Sequence, residues 1–151
     1  MHQTISPETA ILLSFCGLVF LFCFFALPAI ILWVSGWQTL AKHFRAVDIV
    51  TGTQFDFCSG RIGRSQIRGV NYNRCLFVTI CQDGFRLSII PPFSLFAPPL
   101  FLPFSKIIGV NEEKFLFFKY QVISLADVLV TVSLYGKAGQ ALLDAYNLRS
   151  S

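Results

Sequence analysis

Charged residues are scarce in this sequence. Only 13% of its 151 residues are Asp, Glu, Lys or Arg, whereas 54% are hydrophobic. Ordinary soluble domains carry about 25% charged residues. No Lys or Arg occurs before residue 42. So much apolar surface with so few charges indicates a membrane segment, a large interface, or both.

Residues that could support catalysis or bind a metal are also few. His2 and His43 lie on opposite sides of a long apolar run, and none of the five cysteines forms a Cys-x-x-Cys pair. A zinc site and a Cys–His nucleophile are therefore not expected. Gly60 and Gly63 lack the Lys-Ser/Thr ending of a phosphate-binding loop. We predict a protein that is not an enzyme and needs no cofactor or metal.

The apolar run from Ile11 to Val34 contains no charge. As a helix it reaches roughly 36 Å at about 1.5 Å per residue, enough for a hydrocarbon core of about 30 Å. A signal peptide would have a basic start and a shorter apolar core. We predict an uncleaved transmembrane helix over residues 11–36, after a short extracytoplasmic N-terminus of residues 1–10.

Basic residues follow this run and none precede it. Lys42 and Arg45 come soon after it, so the positive-inside tendency places the C-terminal side in the cytoplasm and the N-terminus outside. Trp33 and Trp37 fall where an interfacial aromatic belt is expected. Both tryptophans are predicted to contact the membrane or a partner.

Residues 37–46 form a predicted amphipathic helix at the membrane interface. Its apolar residues are spaced three and four apart, so they share one helical face. They are Trp37, Leu40, Ala41 and Phe44. This face packs either against the lipid boundary or against the domain below.

Residues 47–151 have the pattern of a mainly β domain. Short runs rich in β-forming residues alternate with turn residues, and Asp83-Gly84 is a strong hairpin signal. We expect a further turn at Asn111–Lys114, ahead of two longer strands. The pattern of apolar residues over residues 137–148 predicts a C-terminal helix. The domain is therefore about six or seven antiparallel strands capped by one helix.

The order of these elements resembles the pleckstrin-homology-like (PH-like) superfold, including its membrane-anchored bacterial members. LFLPFSKIIGV, Leu100 to Val110, is similar to a passage common in bacterial PH-like and GRAM-like domains. WQTLAKHFRA and LFVTICQDGFRLSI resemble uncharacterised bacterial proteins with one N-terminal span. The resemblance implies a PH-like roll or open barrel in the cytoplasm, on a single-pass protein of the bacterial inner membrane. It assigns no functional residues.

The segment between Arg86 and Lys106 has no charge but contains five prolines. Proline opposes both helix and strand pairing, so a second transmembrane helix is not expected here. We call residues Pro91–Pro99 the proline loop; it displays Phe93, Leu95 and Phe96. These side chains either cover the domain's own core, dip into the bilayer, or enter a groove on a partner.

Four arginines lie in a stretch without acidic residues: Arg61, Arg64, Arg68 and Arg74. They are candidate contacts for anionic lipid headgroups or for a partner, although a solvated face would show the same pattern. The net charge of +4 is modest and accompanies no nucleic-acid recognition motif, so no nucleic acid partner is expected.

Two functional hypotheses follow. The first is a non-catalytic, membrane-anchored interaction or accessory protein, a small subunit of a larger membrane complex with an integral membrane partner. The second is a PH-like domain that binds a lipid or a small apolar ligand at the cytoplasmic membrane face.

Overall fold

The chain begins with a long apolar helix, α1, from Pro7 to Ser35. The structure is a computed structural model, and it describes residues 6–47, 50–64 and 69–150. The Ser6 hydroxyl caps the helix by accepting a hydrogen bond from the amide of Thr9 at 3.4 Å. The helix continues through Pro28 and is capped at its C-terminal end by Gly36, whose φ of 85° is left-handed.

A second helix, α2, follows directly from Trp37 to Phe44. The left-handed turn at Gly36 separates it from α1, so the two helices are not continuous. Its predicted apolar face is buried in the core of the β domain. This face was expected to pack either against the lipid boundary or against the domain, and the structure shows that it packs against the domain.

Seven strands form one antiparallel sheet that curves into a half-barrel. They are β1 (Thr53–Gly63), β2 (Gly69–Ile80), β3 (Gly84–Ile89), β4 (Leu100–Pro103), β5 (Ile107–Phe115), β6 (Phe118–Leu125) and β7 (Thr131–Tyr135). Their order across the sheet is β4-β3-β2-β1-β7-β6-β5. The predicted count of six or seven antiparallel strands is confirmed.

The free edge of β4 is partly covered by the chain that leaves α2. Arg45 bridges Leu100, and the amide of Ala46 donates to the carbonyl of Pro99 at 2.8 Å. This pairing satisfies part of an edge that would otherwise be open to other strands. It also fixes the start of the β domain beside the proline loop.

The C-terminal helix, α3, runs from Gly136 to Ser150 and confirms the predicted helix. It packs on the sheet through Ala138, Gly139 and Leu142. A side chain at position 139 would come within 2.6 Å of the Leu134 carbonyl, so only glycine allows this close approach. At its far end Arg149 pairs with Asp83 at 3.0 Å.

One turn prediction is wrong. Asn111–Lys114 lies inside β5, and the chain reverses at Leu116–Phe117 instead. Leu116 adopts a left-handed φ of 56°, which a leucine rarely does. The register is set across the strands, where Glu113 pairs with Tyr120 and its carboxylate accepts a hydrogen bond from the tyrosine hydroxyl at 2.9 Å.

Candidate membrane-facing and ligand-facing surfaces

The first half of α1 touches no other part of the described chain closely enough to be covered. Its large apolar side chains are exposed on all sides, among them Ile11, Leu12, Phe15 and Leu18. Within the described residues, α1 is the one helix long and apolar enough to cross a membrane. By length and composition alone, a signal sequence would have the same properties.

The end of α1 is joined to the sheet by a buried network of polar groups. The Tyr72 hydroxyl donates to the Ser35 hydroxyl oxygen at 2.9 Å. That same oxygen accepts from the Trp37 amide at 3.3 Å, while its own proton goes to the Leu32 carbonyl at 3.0 Å. Such a satisfied buried network fixes the direction in which α1 leaves the domain.

The two tryptophans predicted as membrane or partner contacts differ sharply in position. Trp33 is 73% exposed on α1 and remains available for contact. Trp37 is 0% exposed, and its indole N–H donates to the Pro98 carbonyl at 3.1 Å. The prediction for Trp37 is therefore corrected: the turn at Gly36 directs this side chain into the domain, where it anchors α2.

The proline loop lies against the two helices. Gln38 donates to the Phe96 carbonyl at 2.9 Å, and the ring of Phe96 contacts that of Phe25 edge-on at 6.1 Å. Leu95 is 75% exposed and Phe93 is 40% exposed. The three predicted contact residues thus divide: Phe96 packs on α1, whereas Leu95 and part of Phe93 remain at the surface.

A groove of about 530 Å³ separates the second half of α1 from the sheet. We call it the helix–sheet groove. One wall is α1 from Phe20 to Leu32, and the other is formed by β2, the end of β3 and the proline loop. Apolar side chains dominate both walls. The groove residues on the sheet side are Val70, Asn71, Tyr72, Cys75, Ile89 and Phe93.

The predicted arginines form a row along β1 and β2 rather than a compact cluster. Arg61 pairs with Asn71, and the amide of Arg74 donates to the Ser59 hydroxyl at 3.0 Å. Arg64 follows the end of β1, with its Cγ beside Gly36. From the level of Ser59 to Arg64 the row covers roughly 17 Å at about 3.3 Å per residue. Arg68 lies outside the described residues.

A second and larger cavity, about 960 Å³, opens over β1, β7 and β6. We call it the sheet-face cavity. Many of its lining residues alternate along the strands with buried core residues, so the cavity lies on the opposite face of the sheet from the core. The lining includes Phe55, Arg61, Asn71, Phe118, Tyr120 and Tyr135.

Two side chains that line the sheet-face cavity, Tyr120 and Cys58, hold their protons more tightly than usual. A hydrogen bond to the Glu113 carboxylate raises the pKa of Tyr120, so this phenol stays protonated. Burial raises the pKa of the Cys58 thiol, which disfavours the reactive thiolate. Across the described residues no group of three or more His, Cys, Asp or Glu side chains could hold a metal ion.

Sequence reasoning missed the hairpin tip, residues Leu116–Phe118. Phe117 is 95% exposed, and its two neighbours are also largely exposed. Lys119 beside the tip pairs with Glu112 at 3.1 Å. The apolar run KFLFFKY has the sequence pattern of a single strand, since nothing in it signals a turn. Only the pairing of β5 with β6 shows that these side chains are at an exposed end.

Comparison with known proteins assigns no family to this chain. No family model matches the sequence. No curated protein matches it either.

Proposed function

We propose that this protein is a non-catalytic, single-pass membrane protein that acts as an interaction or accessory subunit of a larger membrane complex. In this proposal α1 crosses the bacterial inner membrane with the N-terminus outside. The β domain lies in the cytoplasm, held against the bilayer. The partner is an integral membrane protein whose helices pack against α1.

One observation carries the proposal: α1 is fixed to the domain at one end, yet its apolar surface is otherwise uncovered. The central part of the helix has no residue buried within the chain. A cleavable signal sequence needs no packing on the mature domain, whereas α1 shares a buried hydrogen-bond network with Tyr72 and Trp37. This packing favours a retained anchor.

The orientation is supported by charge. Lys42, Arg45, Arg61 and Arg64 all follow α1, and the first turn of α1 carries the acidic Glu8. Basic residues on one flank of a span favour the cytoplasmic side for that flank. The proposed cytoplasmic location of the domain follows from this distribution.

A PH-like architecture for the domain is part of the proposal. The support is the element order, seven antiparallel strands followed by one C-terminal helix that packs over the sheet. In such a half-barrel, the helix covers apolar residues that the open sheet would expose. In this proposal the β domain contacts the partner through its loops and the edges of its sheet.

Position-specific crosslinking tests the proposed partner contact. A photoreactive amino acid would replace Phe15 or Phe22, both exposed on α1, in cells that produce the full-length protein. Leu148, exposed on α3, serves as the matched control position. We expect one membrane protein to be crosslinked from α1 and to copurify in mild detergent at constant stoichiometry. A monomer that gives no protein crosslink from either α1 position contradicts the proposal.

The second candidate function, binding of a lipid or small apolar ligand by the domain, is favoured by the sheet-face cavity. Its volume of about 960 Å³ lies within the usual range for ligand pockets, and aromatic side chains with one arginine line it. A ligand retained by the purified protein and lost in Tyr135→Ala, with α1 still membrane-bound, would support this candidate over the accessory role.

A further inference from the structure

We infer that the helix–sheet groove binds one acyl chain of an anionic phospholipid from the cytoplasmic leaflet. The inference rests on the proposed function in that α1 must cross the membrane with the β domain on the cytoplasmic side. It assigns a lipid site between the anchor and the domain, distinct from the sheet-face cavity on the other side of the sheet.

The position of the groove relative to the bilayer follows from the length of α1. From Ile11, where the apolar run starts, to Val19, before the groove begins, the helix reaches only about 14 Å at about 1.5 Å per residue. A hydrocarbon core of about 30 Å needs roughly 20 residues, which takes the bilayer to about Ile30. Phe20 and Phe24 line the groove within that part of the helix. Its deep end therefore opens into hydrocarbon.

The lining of the groove is suited to a hydrocarbon chain. Phe24, Leu27 and Ile31 face Val70 and Ile89 across it. The hydroxyl of Tyr72 is already bonded to Ser35, so it presents its ring to the groove. Burial also raises the pKa of the Cys75 thiol, which keeps this wall neutral. Water in such a groove would find few hydrogen-bond partners.

The dimensions of the groove separate a lipid chain from a protein helix. Its α1 wall, Phe20 to Leu32, is about 18 Å long at about 1.5 Å per residue. A helix of that length, about 10 Å across with its side chains, occupies roughly 1,400 Å³, well above the groove volume of about 530 Å³. An extended chain of methylene groups can therefore enter the groove, whereas a partner helix can only lie along its opening.

The shallow end of the groove lies where a headgroup would be. Val70 lines the groove, and its neighbour Gly69 pairs with Gly63 at the end of β1. Arg64 comes next in the chain, exposed and beside Gly36 at the end of α1. A guanidinium at this level can hold a phosphate while the acyl chain extends along the groove toward Phe93. This charge favours an anionic lipid over a zwitterionic one.

Photolabelling in lipid discs tests the inference. The full-length protein would be placed in discs of phosphatidylcholine and phosphatidylglycerol, with a photoreactive group on the acyl chain of either lipid in turn. Mass spectrometry then locates the attached lipid. We expect phosphatidylglycerol to label Tyr72, Cys75 and Ile89 preferentially, over the outward positions Phe15 and Phe22 of α1.

Two variants make the test specific. Cys75→Phe fills the groove, and its matched control is Cys81→Phe, outside the groove just after the end of β2. Labelling of Tyr72 should fall by about tenfold in Cys75→Phe, since the loss of roughly two buried methylene groups changes a binding constant by that factor. Arg64→Gln should remove the preference for phosphatidylglycerol. Circular dichroism and heat unfolding confirm that each variant folds, and Val70→Phe replaces Cys75→Phe if the latter does not.

The outcomes separate the lipid site from the anchor itself. Release of the wild-type protein from membranes by alkaline carbonate would overturn both the anchor and the lipid site. Stable membrane integration with labelling spread evenly around α1, or unchanged by Cys75→Phe, would overturn the lipid site alone. A partner protein crosslinked through Cys75 in place of lipid would also overturn it.

Discussion

Tyr72 connects the anchor, the groove and the domain. Its hydroxyl bonds to Ser35 at the end of α1, its ring lies 5.9 Å from that of Trp37, and its other side lines the helix–sheet groove. Burial raises the pKa of Tyr72 above its ordinary value of 10.0. A small change at this residue therefore tests the joint without removing an element.

Tyr72→Phe should lower the free energy of unfolding by about 1 kcal/mol at neutral pH, the usual net value of one hydrogen bond. It should also reduce the loss of stability at alkaline pH. Burial makes the folded state hold the phenol proton of Tyr72 more tightly than the unfolded chain does. The stability linked to this proton is therefore complete below about pH 10 and is lost as the pH rises through the raised pKa. Heat unfolding in a Trp33→Phe background, where Trp37 is the one remaining tryptophan, measures both effects by fluorescence across this pH range.

The control for this change is Tyr120→Phe, which removes a hydrogen bond to Glu113 on the outer hairpin. It should leave the fluorescence of Trp37 at neutral pH unchanged. If Tyr72→Phe is as stable to heat as the wild-type protein at neutral pH, the Tyr72–Ser35 bond does not stabilise the joint.

At the residue scale, the sequence shows which side chains are apolar or aromatic, but it does not show which of them are buried. Trp33 and Trp37 look alike in the sequence, four residues apart at the end of an apolar run. The structure exposes the first and buries the second, because the left-handed Gly36 turns the chain between them. Tyr72 gave no signal at all, since its partner Ser35 is 37 residues away in the chain.

At the element scale, the proline loop is held by its carbonyl groups while one of its side chains is presented outward. The carbonyls of Phe96 and Pro98 accept hydrogen bonds from α2, so the loop has a fixed place beside α1. Leu95 projects from it. Since Phe96 lies beside Phe25, within the part of α1 needed to span the bilayer, Leu95 is placed to enter the lipid interface.

A fluorescent reporter tests the position of Leu95. An environment-sensitive dye on Leu95→Cys, in the full-length protein in lipid discs, should show blue-shifted emission and quenching by spin-labelled acyl chains. The same dye on Leu148→Cys, which is similarly exposed on α3, is the control and should report water. Burial of a leucine in lipid contributes about 1.5–3 kcal/mol, so Leu95→Ser should weaken this contact.

Equal emission from positions 95 and 148 would contradict a membrane contact for the proline loop. Phe96→Ser gives an independent comparison. It should lower the heat stability of the α1 joint through the lost contact with Phe25, whereas Leu95→Ser should leave that stability nearly unchanged.

Helices and strands were predictable where the spacing of apolar residues and the positions of turn residues indicate the same element boundaries. The Asp83-Gly84 hairpin and the C-terminal helix are examples. The turn between β5 and β6 failed because the polar Asn111–Lys114 resembles a turn more than the apolar Leu116–Phe117 does. Cross-strand contacts such as Glu113 with Tyr120 decide the register, and no local pattern contains them.

At the scale of the whole molecule, the pairing of β1 with β7 could not be predicted. It joins Gly63 to Thr131, and with it the Thr131 hydroxyl donates to the Gly63 carbonyl at 3.2 Å. This long-range pairing orders the sheet and creates the sheet-face cavity on one face. The helix–sheet groove also depends on distant segments, α1, β2 and the proline loop, so neither site had a sequence signature.

The orientation of the whole molecule provides the last prediction. Thr9, near the start of α1, should lie outside the cell, and Leu148, on α3, should lie in the cytoplasm, since the basic residues all follow the span. A membrane-impermeant maleimide, applied to intact spheroplasts of a cysteine-free variant, should label Thr9→Cys. It should label Leu148→Cys only after the membrane is permeabilised. Labelling of position 148 from outside would reverse the orientation and would move Arg64 and the helix–sheet groove to the opposite leaflet.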